Sequence, residues 1–159
     1  MAAESAHERA GLHRPTRRTN VSGLTRAILV IALVGLLESI YLTYIHYHGI
    51  SALPCFGAHG GQSSCALVQT SVYSKLAGIP VALLGLIGYV TILATLFIRG
   101  ELGRAAAFGV ALTGFGFSAY LTYREIFTLK EICEWCVGSA LMMTALTILT
   151  AIRYLRAGS

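Results

Sequence analysis

The chain has 159 residues, of which 55% are hydrophobic and only 12% are charged, whereas soluble domains carry about 25% charged residues. This composition excludes an ordinary soluble domain, and the apolar residues gather into four blocks that predict a single membrane domain. The formal net charge of +5 does not indicate nucleic-acid binding, because the basic residues flank the apolar blocks, as membrane topology requires.

Residues 1–22 are polar and basic and show no hydrophobic periodicity. They predict a disordered cytoplasmic arm, followed by a four-helix transmembrane domain over residues 23–157. The first apolar block covers residues 27–47. It is not a cleaved signal peptide, because a long polar stretch precedes it and no cleavage site of small residues follows it.

Glu38 interrupts the first block. A carboxyl group inside a membrane is costly, which makes it a functional candidate by default. The interpretation we favour is a neutral Glu38 that is hydrogen-bonded to a neighbouring helix or reaches outward, and a proton route through it is the alternative.

The rest of the chain alternates between polar connections and apolar blocks. Residues 48–76 form a long outer loop, whose proline and glycines predict a partly irregular structure. The elements that follow are an apolar block at 77–98 with Pro80 in its first turn, a tight inner turn at 99–104, a block at 105–123, a short outer connection at 124–132 and a block at 133–152.

Each apolar block approaches the roughly 20 residues that a spanning helix needs. Helices are predicted because open strands cannot satisfy their backbone groups in lipid. The predicted fold is therefore an all-α membrane protein, a four-transmembrane-helix bundle with an extracytoplasmic loop or cap between helices one and two.

The twelve lysines and arginines divide unequally between the two sides of this topology. The three on one side are Lys75, Arg124 and Lys130. The other nine lie before helix one, between helices two and three, or at the end of helix four, and the positive-inside rule makes that side cytoplasmic. The prediction is a multi-pass protein of the plasma membrane with both termini inside and the long loop outside.

All four cysteines, Cys55, Cys65, Cys133 and Cys136, map to the outer side, where disulfides persist. Cys133 and Cys136 share one face at the start of a helix, where the positive end of the helix dipole favours thiolate. Cys55 and Cys65 can form a second disulfide in the loop. The arrangement indicates a relay from a soluble dithiol, through the loop pair, to a membrane-edge pair that a quinone can reach from the bilayer.

Two other interpretations of the cysteines are weaker. A structural zinc site could use four thiolates, but the spacing from Cys55 to Cys65 is wide and we predict no metal. Two purely structural disulfides are also possible, although the small ring of a Cys-x-x-Cys bridge is strained, and strained bridges tend to be labile or catalytic. Trp135, between the paired cysteines, could stack on a quinone or anchor in the membrane interface.

Three stretches make the sequence similar to the vitamin K epoxide reductase family in its bacterial form. They are CALVQTSVYSKLAGIPVALLG at 65–85, CEWCVGS at 133–139 and the Ser-x-Tyr-Leu-Thr element at 39–43. The resemblance covers roughly residues 25–155. It implies a four-helix bundle around a quinone, either menaquinone or ubiquinone, with the outer loop as a cap.

The resemblance also implies roles for individual residues. Cys55 would exchange with the partner, Cys65 would relay to Cys133, and Cys136 would be the thiolate beside the quinone. Ser71 would hydrogen-bond a quinone oxygen. These roles imply a quinone-dependent thiol–disulfide oxidoreductase that supports disulfide formation in exported proteins.

Two departures qualify this expectation. Animal members have a tyrosine four residues after the second cysteine of the pair, where this chain has Ala140, so the epoxide reaction is in doubt. Some bacterial members carry a fused thioredoxin-like domain, which is absent up to Ser159, so we expect the thioredoxin-like extracytoplasmic partner to be a separate protein. The alternative function is a non-enzymatic membrane scaffold that disulfides stabilise.

Overall fold

The computed structural model describes residues 15–49, 64–76, 78–130 and 132–158. Five α-helices account for most of them: α1 (Pro15–His48), α2 (Ser64–Thr70), α3 (Val81–Phe97), α4 (Glu101–Arg124) and α5 (Glu134–Gly158). The shorter elements are a 3₁₀ turn (Val72–Ser74), the antiparallel strands β1 (Lys75–Leu76) and β2 (Ile79–Pro80), and a π-helical turn (Glu125–Leu129) that continues α4.

The described helices have the length and composition of membrane spans. Three segments are long and apolar enough to cross a bilayer, namely Ser22–His48, Glu101–Leu129 and Glu134–Arg156, and Val81–Phe97 is a shorter apolar helix. Many of their large apolar side chains point outward, for example Val30, Leu37 and Leu141. An outward apolar surface of this extent fits lipid rather than water, so the protein is an all-α membrane protein.

The start of α3 differs from the predicted span at 77–98. The chain pairs β1 with β2 before the helix begins, with Leu76 opposite Ile79. Gly78 lies in the left-handed region at φ 84°, a conformation that glycine adopts without a steric penalty. Pro80 has an extended backbone and precedes the helix rather than lying in its first turn. The apolar character of the hairpin concealed this boundary in the sequence.

The structure also differs from the predicted elements at three other places. Helix α1 begins at Pro15, a residue type that suits the first helical position, so residues 15–22 are helical, and the remainder of the predicted arm lies outside the described residues. The predicted inner turn at 99–104 is shorter, because α4 already begins at Glu101 after Gly100, whose φ is 100°. The predicted outer connection at 124–132 contains the π-helical turn.

The long helices pack in a ring in which α1 contacts α3 and α5, and α4 contacts α3 and α5. One buried cluster joins them through Ile28, Ala32, Tyr89, Ile92, Ala111, Met143 and Leu146. Gly35 lets the ring of Tyr89 approach the α1 backbone directly, the kind of close approach that small residues allow between membrane helices. A second cluster lies where α1, α2 and the start of α5 meet, and it contains the cysteines discussed next.

Candidate active site

A cavity of about 520 Å³ lies inside the ring of helices. Its wall is mostly apolar and comes mainly from α3 and α4, with contributions from α1, from α5 and from the segment that runs from α2 through the 3₁₀ turn to β1. Polar groups form a minor part of its surface, and they include Gln69, Ser71, Glu125 and Cys136. Pockets of about 300–1,000 Å³ with apolar walls and a few polar groups are typical of small-molecule sites.

Among the described cysteines, Cys136 lines this cavity. It lies in the first turn of α5, which begins at Glu134, and its thiol is free in the structure. The start of α5 therefore directs one thiol of the Cys-x-x-Cys pair at the space where a small apolar molecule would bind.

Cys133 lies immediately before α5, and its carbonyl accepts the first hydrogen bond of the helix from the Val137 N–H at 3.0 Å. Its thiol is free and fully buried. A hydrogen bond from the Cys136 thiol lowers the pKa of Cys133, and the backbone N–H groups of Cys136 and Trp135 act in the same direction. Burial and the charge of Glu125 act against this lowering, so helix-start stabilisation of a thiolate applies to the first cysteine of the pair.

Cys65 lies in α2, is fully buried, and is disulfide-bonded. Its partner is neither Cys133 nor Cys136, since both of those thiols are free. The predicted partner, Cys55, lies outside the described residues. The side chains of Cys65 and Cys133 belong to the second buried cluster, together with Leu42, Ile45 and Val68.

The two residues predicted to contact a quinone have different surroundings. Ser71 lines the cavity, and its hydroxyl donates a hydrogen bond to the Val68 carbonyl at 2.7 Å. Trp135 instead packs against the second cluster, with its ring centroid 5.3 Å from that of Tyr41, and it does not line the cavity wall. Ser71 and Cys136 therefore line the same cavity, whereas Trp135 lies beside the buried cysteines.

Glu125 is a site residue that sequence reasoning did not identify. Its side chain is only 4% exposed, it lines the cavity, and its Oε2 accepts a hydrogen bond from the Cys133 N–H at 3.4 Å. Its carboxylate also shares a hydrogen bond with the Cys136 thiol. Assignment of residues 124–132 to a solvated connection hid this role, although the apolar pair Ile126 and Phe127, which follows Glu125, is unusual in such a connection.

Arg124 lines the cavity at the end of α4. Its guanidinium lies over the ring of Tyr73 at 4.2 Å from the centroid, and both residues line the cavity. A cation stacked on an aromatic face contributes about 0.5–1 kcal/mol at an exposed site and more where it is desolvated. The contact therefore holds the 3₁₀ turn against the end of α4.

Glu38 lies next to α5 rather than in the cavity wall. A Cβ added at Gly138 would be 3.5 Å from the Glu38 Oε1, and among the described residues Oε2 has no hydrogen-bond partner. The Tyr89 hydroxyl is hydrogen-bonded to the Ser139 hydroxyl at 3.1 Å, and Ser139 lines the cavity. The proton route through Glu38 stays a hypothesis.

Within the described part of the chain, no group of three or more His, Cys, Asp or Glu side chains could hold a metal ion.

The family model of the vitamin K epoxide reductase family matches residues 26–151. This range runs from α1 nearly to the end of α5 and includes both buried clusters. The chain belongs to the vitamin K epoxide reductase family. The resemblance that the cysteine-containing stretches indicated is confirmed.

Members of the vitamin K epoxide reductase family are integral membrane oxidoreductases of thiol–disulfide and quinone chemistry. They generally pass electrons to a quinone and work with thioredoxin-like proteins. The present chain is thus a membrane oxidoreductase.

Proposed function

We propose that this protein transfers electrons from a thioredoxin-like dithiol outside the cell, through Cys55 and Cys65 and then Cys133 and Cys136, to menaquinone or ubiquinone. The observation that carries the proposal is that the two thiols of the Cys-x-x-Cys pair have different surroundings. Cys133 packs in the cluster that contains Cys65, whereas Cys136 lines the apolar cavity. Each thiol therefore lies beside a different redox partner.

The first half of the reaction is thiol–disulfide exchange. After the partner reduces the loop pair, the Cys65 thiolate attacks the Cys133 sulfur of the Cys133–Cys136 disulfide, forms a Cys65–Cys133 bond and releases the Cys136 thiolate. The Cys55 thiolate then attacks Cys65, restores the loop disulfide and releases Cys133. A disulfide at Cys65 with free thiols at Cys133 and Cys136 corresponds to the state after this exchange.

The residues of the cavity fit a quinone. Its largely apolar wall suits an aromatic ring and an isoprenoid tail, and the Ser71 hydroxyl can turn from the Val68 carbonyl to a quinone oxygen. When bound, a quinone supplies an acceptor for the two electrons and two protons that leave the Cys133 and Cys136 thiols as their disulfide forms. The chain's own contribution is to orient the ring with Ser71 and hold Cys136 at the cavity wall; the same wall excludes stray thiols.

The membrane arrangement is part of the same proposal. Residues 23–157 form one four-span domain in which the shorter helix α3 is also a span, and both termini are cytoplasmic. The predicted cap at 48–76, of which residues 50–63 lie outside the described part of the chain, covers the cavity on the extracytoplasmic side. The cap is supported by three residues of this segment that line the cavity, namely Val68, Ser71 and Leu76. With the cysteines on this side, the product is an oxidised partner that introduces disulfides into exported proteins.

The test uses the full-length protein in detergent or nanodiscs, with dithiothreitol as the dithiol and short-chain ubiquinone or menaquinone analogues as acceptors. Thiol-dependent quinone reduction is expected for the wild type, and Cys136→Ala should reduce it to the uncatalysed rate. Thr70→Ala is the matched control, because Thr70 is exposed and absent from the cavity wall. Folded wild-type protein that reduces neither quinone would overturn the proposal and favour the disulfide-stabilised scaffold.

A further inference from the structure

The π-helical turn at the end of α4 directs an acidic side chain into the protein. Glu125 begins this turn and is buried, whereas Ile126 and Phe127 after it are exposed. The turn ends at Lys130, which has a left-handed backbone at φ 54°. A single π-helical turn inside or beside an α-helix frequently marks a functional site, because it rotates one side chain out of the regular helical register.

The Glu125 carboxylate contacts both halves of the reactive pair. Oε2 accepts the Cys133 backbone N–H at 3.4 Å, and the carboxylate is hydrogen-bonded to the Cys136 thiol. It also lines the cavity that Cys136 lines. A carboxylate in such surroundings is costly to bury, so its position between a reactive thiol and a substrate cavity requires a compensating role.

We propose that Glu125 is the proton acceptor for the Cys136 thiol during oxidation of the pair, and that it passes this proton into the cavity. This inference rests on the proposed function. It adds a catalytic residue to the cysteines and Ser71, since the Glu125 carboxylate touches a reacting sulfur.

The proton and electron balance is simple. Glu125 accepts the Cys136 proton, so that sulfur is available as thiolate, and a bond then forms between the Cys133 and Cys136 sulfurs. The two electrons and two thiol protons of the pair leave to the quinone, which becomes the quinol. Glu125 gives up the proton that it held and returns to the carboxylate, ready for the next turnover.

A purely structural Glu125 would behave differently. Its hydrogen bond to the Cys133 N–H ties the end of α4 to the start of α5, and Glu125→Gln keeps an amide oxygen that can accept that bond. A mere negative charge beside Cys136 would disfavour the thiolate, so removing it would speed the reaction of Cys136 with an alkylating reagent. A proton acceptor predicts the opposite sign.

The experiment therefore measures alkylation of Cys136 by N-ethylmaleimide at neutral pH, in a Cys133→Ser background that cannot reduce quinone. Glu125→Gln is expected to slow alkylation by about tenfold or more, within the range that positioned acid–base groups contribute. Glu134→Gln is the matched control, because this exposed carboxylate also adjoins Cys133, and it should change the rate by less than about twofold. An unchanged or faster rate in Glu125→Gln, or equal slowing in both variants, overturns the proposal.

A second readout uses the intact cysteine pair. In a single turnover of the reduced protein with a quinone analogue, Glu125→Gln should slow quinone reduction by about 100-fold. A loss of less than about threefold contradicts the role. If wild-type protein reduces no quinone, the proposed function fails, and the alkylation result still decides whether Glu125 accepts the proton.

Discussion

Cys65 and Cys133 are both fully buried, and they belong to a single hydrophobic cluster although one lies in α2 and the other precedes α5. Leu42, Ile45 and Val68 complete this cluster. Burial therefore shields both sulfurs from small thiols in solution. Cys136, one turn further along α5, faces the cavity instead.

This arrangement predicts which cross-link forms when the other cysteines are removed. In the Cys55→Ala/Cys136→Ala variant, mild oxidation should join Cys65 to Cys133, because their side chains share the cluster. In Cys55→Ala/Cys133→Ala, oxidation to Cys65–Cys136 should be at least about tenfold slower, because disulfides demand specific Cβ positions. Peptide mass spectrometry measures both products, and a faster Cys65–Cys136 bond would contradict the relay order.

Ser71→Ala should weaken quinone binding. Loss of one hydrogen bond between neutral groups corresponds to about 0.5–1.5 kcal/mol, so the KM for quinone should rise roughly 2- to 12-fold with a smaller change in kcat. Thr70→Ala removes a similar hydroxyl, hydrogen-bonded to the Ala66 carbonyl at 2.8 Å, outside the cavity. Equal KM values for the two variants would show that Ser71 does not contact the quinone.

The thiolate of Cys133 should depend on the group at position 136. The hydrogen bond from Cys136 lowers the pKa of Cys133, and a serine at 136 retains a donor that an alanine lacks. In Cys136→Ser, the ultraviolet absorbance of the Cys133 thiolate should therefore appear at lower pH than in Cys136→Ala. Identical midpoints in the two variants would contradict this cause.

The same shift has a consequence for stability. A thiol whose pKa is lowered on folding favours the folded state at pH values above its ordinary pKa, and this contribution disappears as the pH falls through the lowered pKa. Reduced Cys136→Ser protein should therefore gain more stability than Cys136→Ala as the pH rises through this window. Thermal midpoints measured across the pH range check the sign.

Gly35→Ala should destabilise the bundle. A Cβ at this position would overlap the ring of Tyr89, which is fully buried between α1 and α3. Overpacking of this kind costs about 1–3 kcal/mol, so the thermal midpoint in detergent should fall. Gly116→Ala is the control, because a Cβ there meets nothing within 4 Å. Equal midpoints in the two variants would show that α1 and α3 do not pack this closely.

The topology predicts the side from which the connections can be labelled. In a background with all four cysteines replaced by serine, Lys130→Cys should react with a membrane-impermeant maleimide applied to intact cells. Arg99→Cys should react only after the cells are opened, because the positive-inside rule makes its turn cytoplasmic. The reverse pattern would invert the proposed orientation.

The amino-acid sequence by itself determined the membrane character, the helical class, the family and the cysteines worth testing. Long apolar runs identify spanning helices because lipid leaves the backbone few alternatives. The spacing of Cys133 and Cys136 at a helix start likewise places both thiols within one turn of α5, whatever packs around it. These inferences depend on local pattern alone, which is why they needed no tertiary information.

Only the tertiary structure decided which thiol of the pair lies at the cavity and which lies near Cys65. The same Cys-x-x-Cys spacing would allow either thiol to face the cavity, and packing of α5 against α1, α2 and α4 directs Cys136 to it and Cys133 to Cys65. The π-helical turn at Glu125 is joined to the start of α5 by the hydrogen bond from the Cys133 N–H, a contact that the hydrophobic pattern of neither element specifies. Trp135 packs on Tyr41, away from the cavity, for the same reason: spacing along one helix does not specify which neighbour each of its faces will meet.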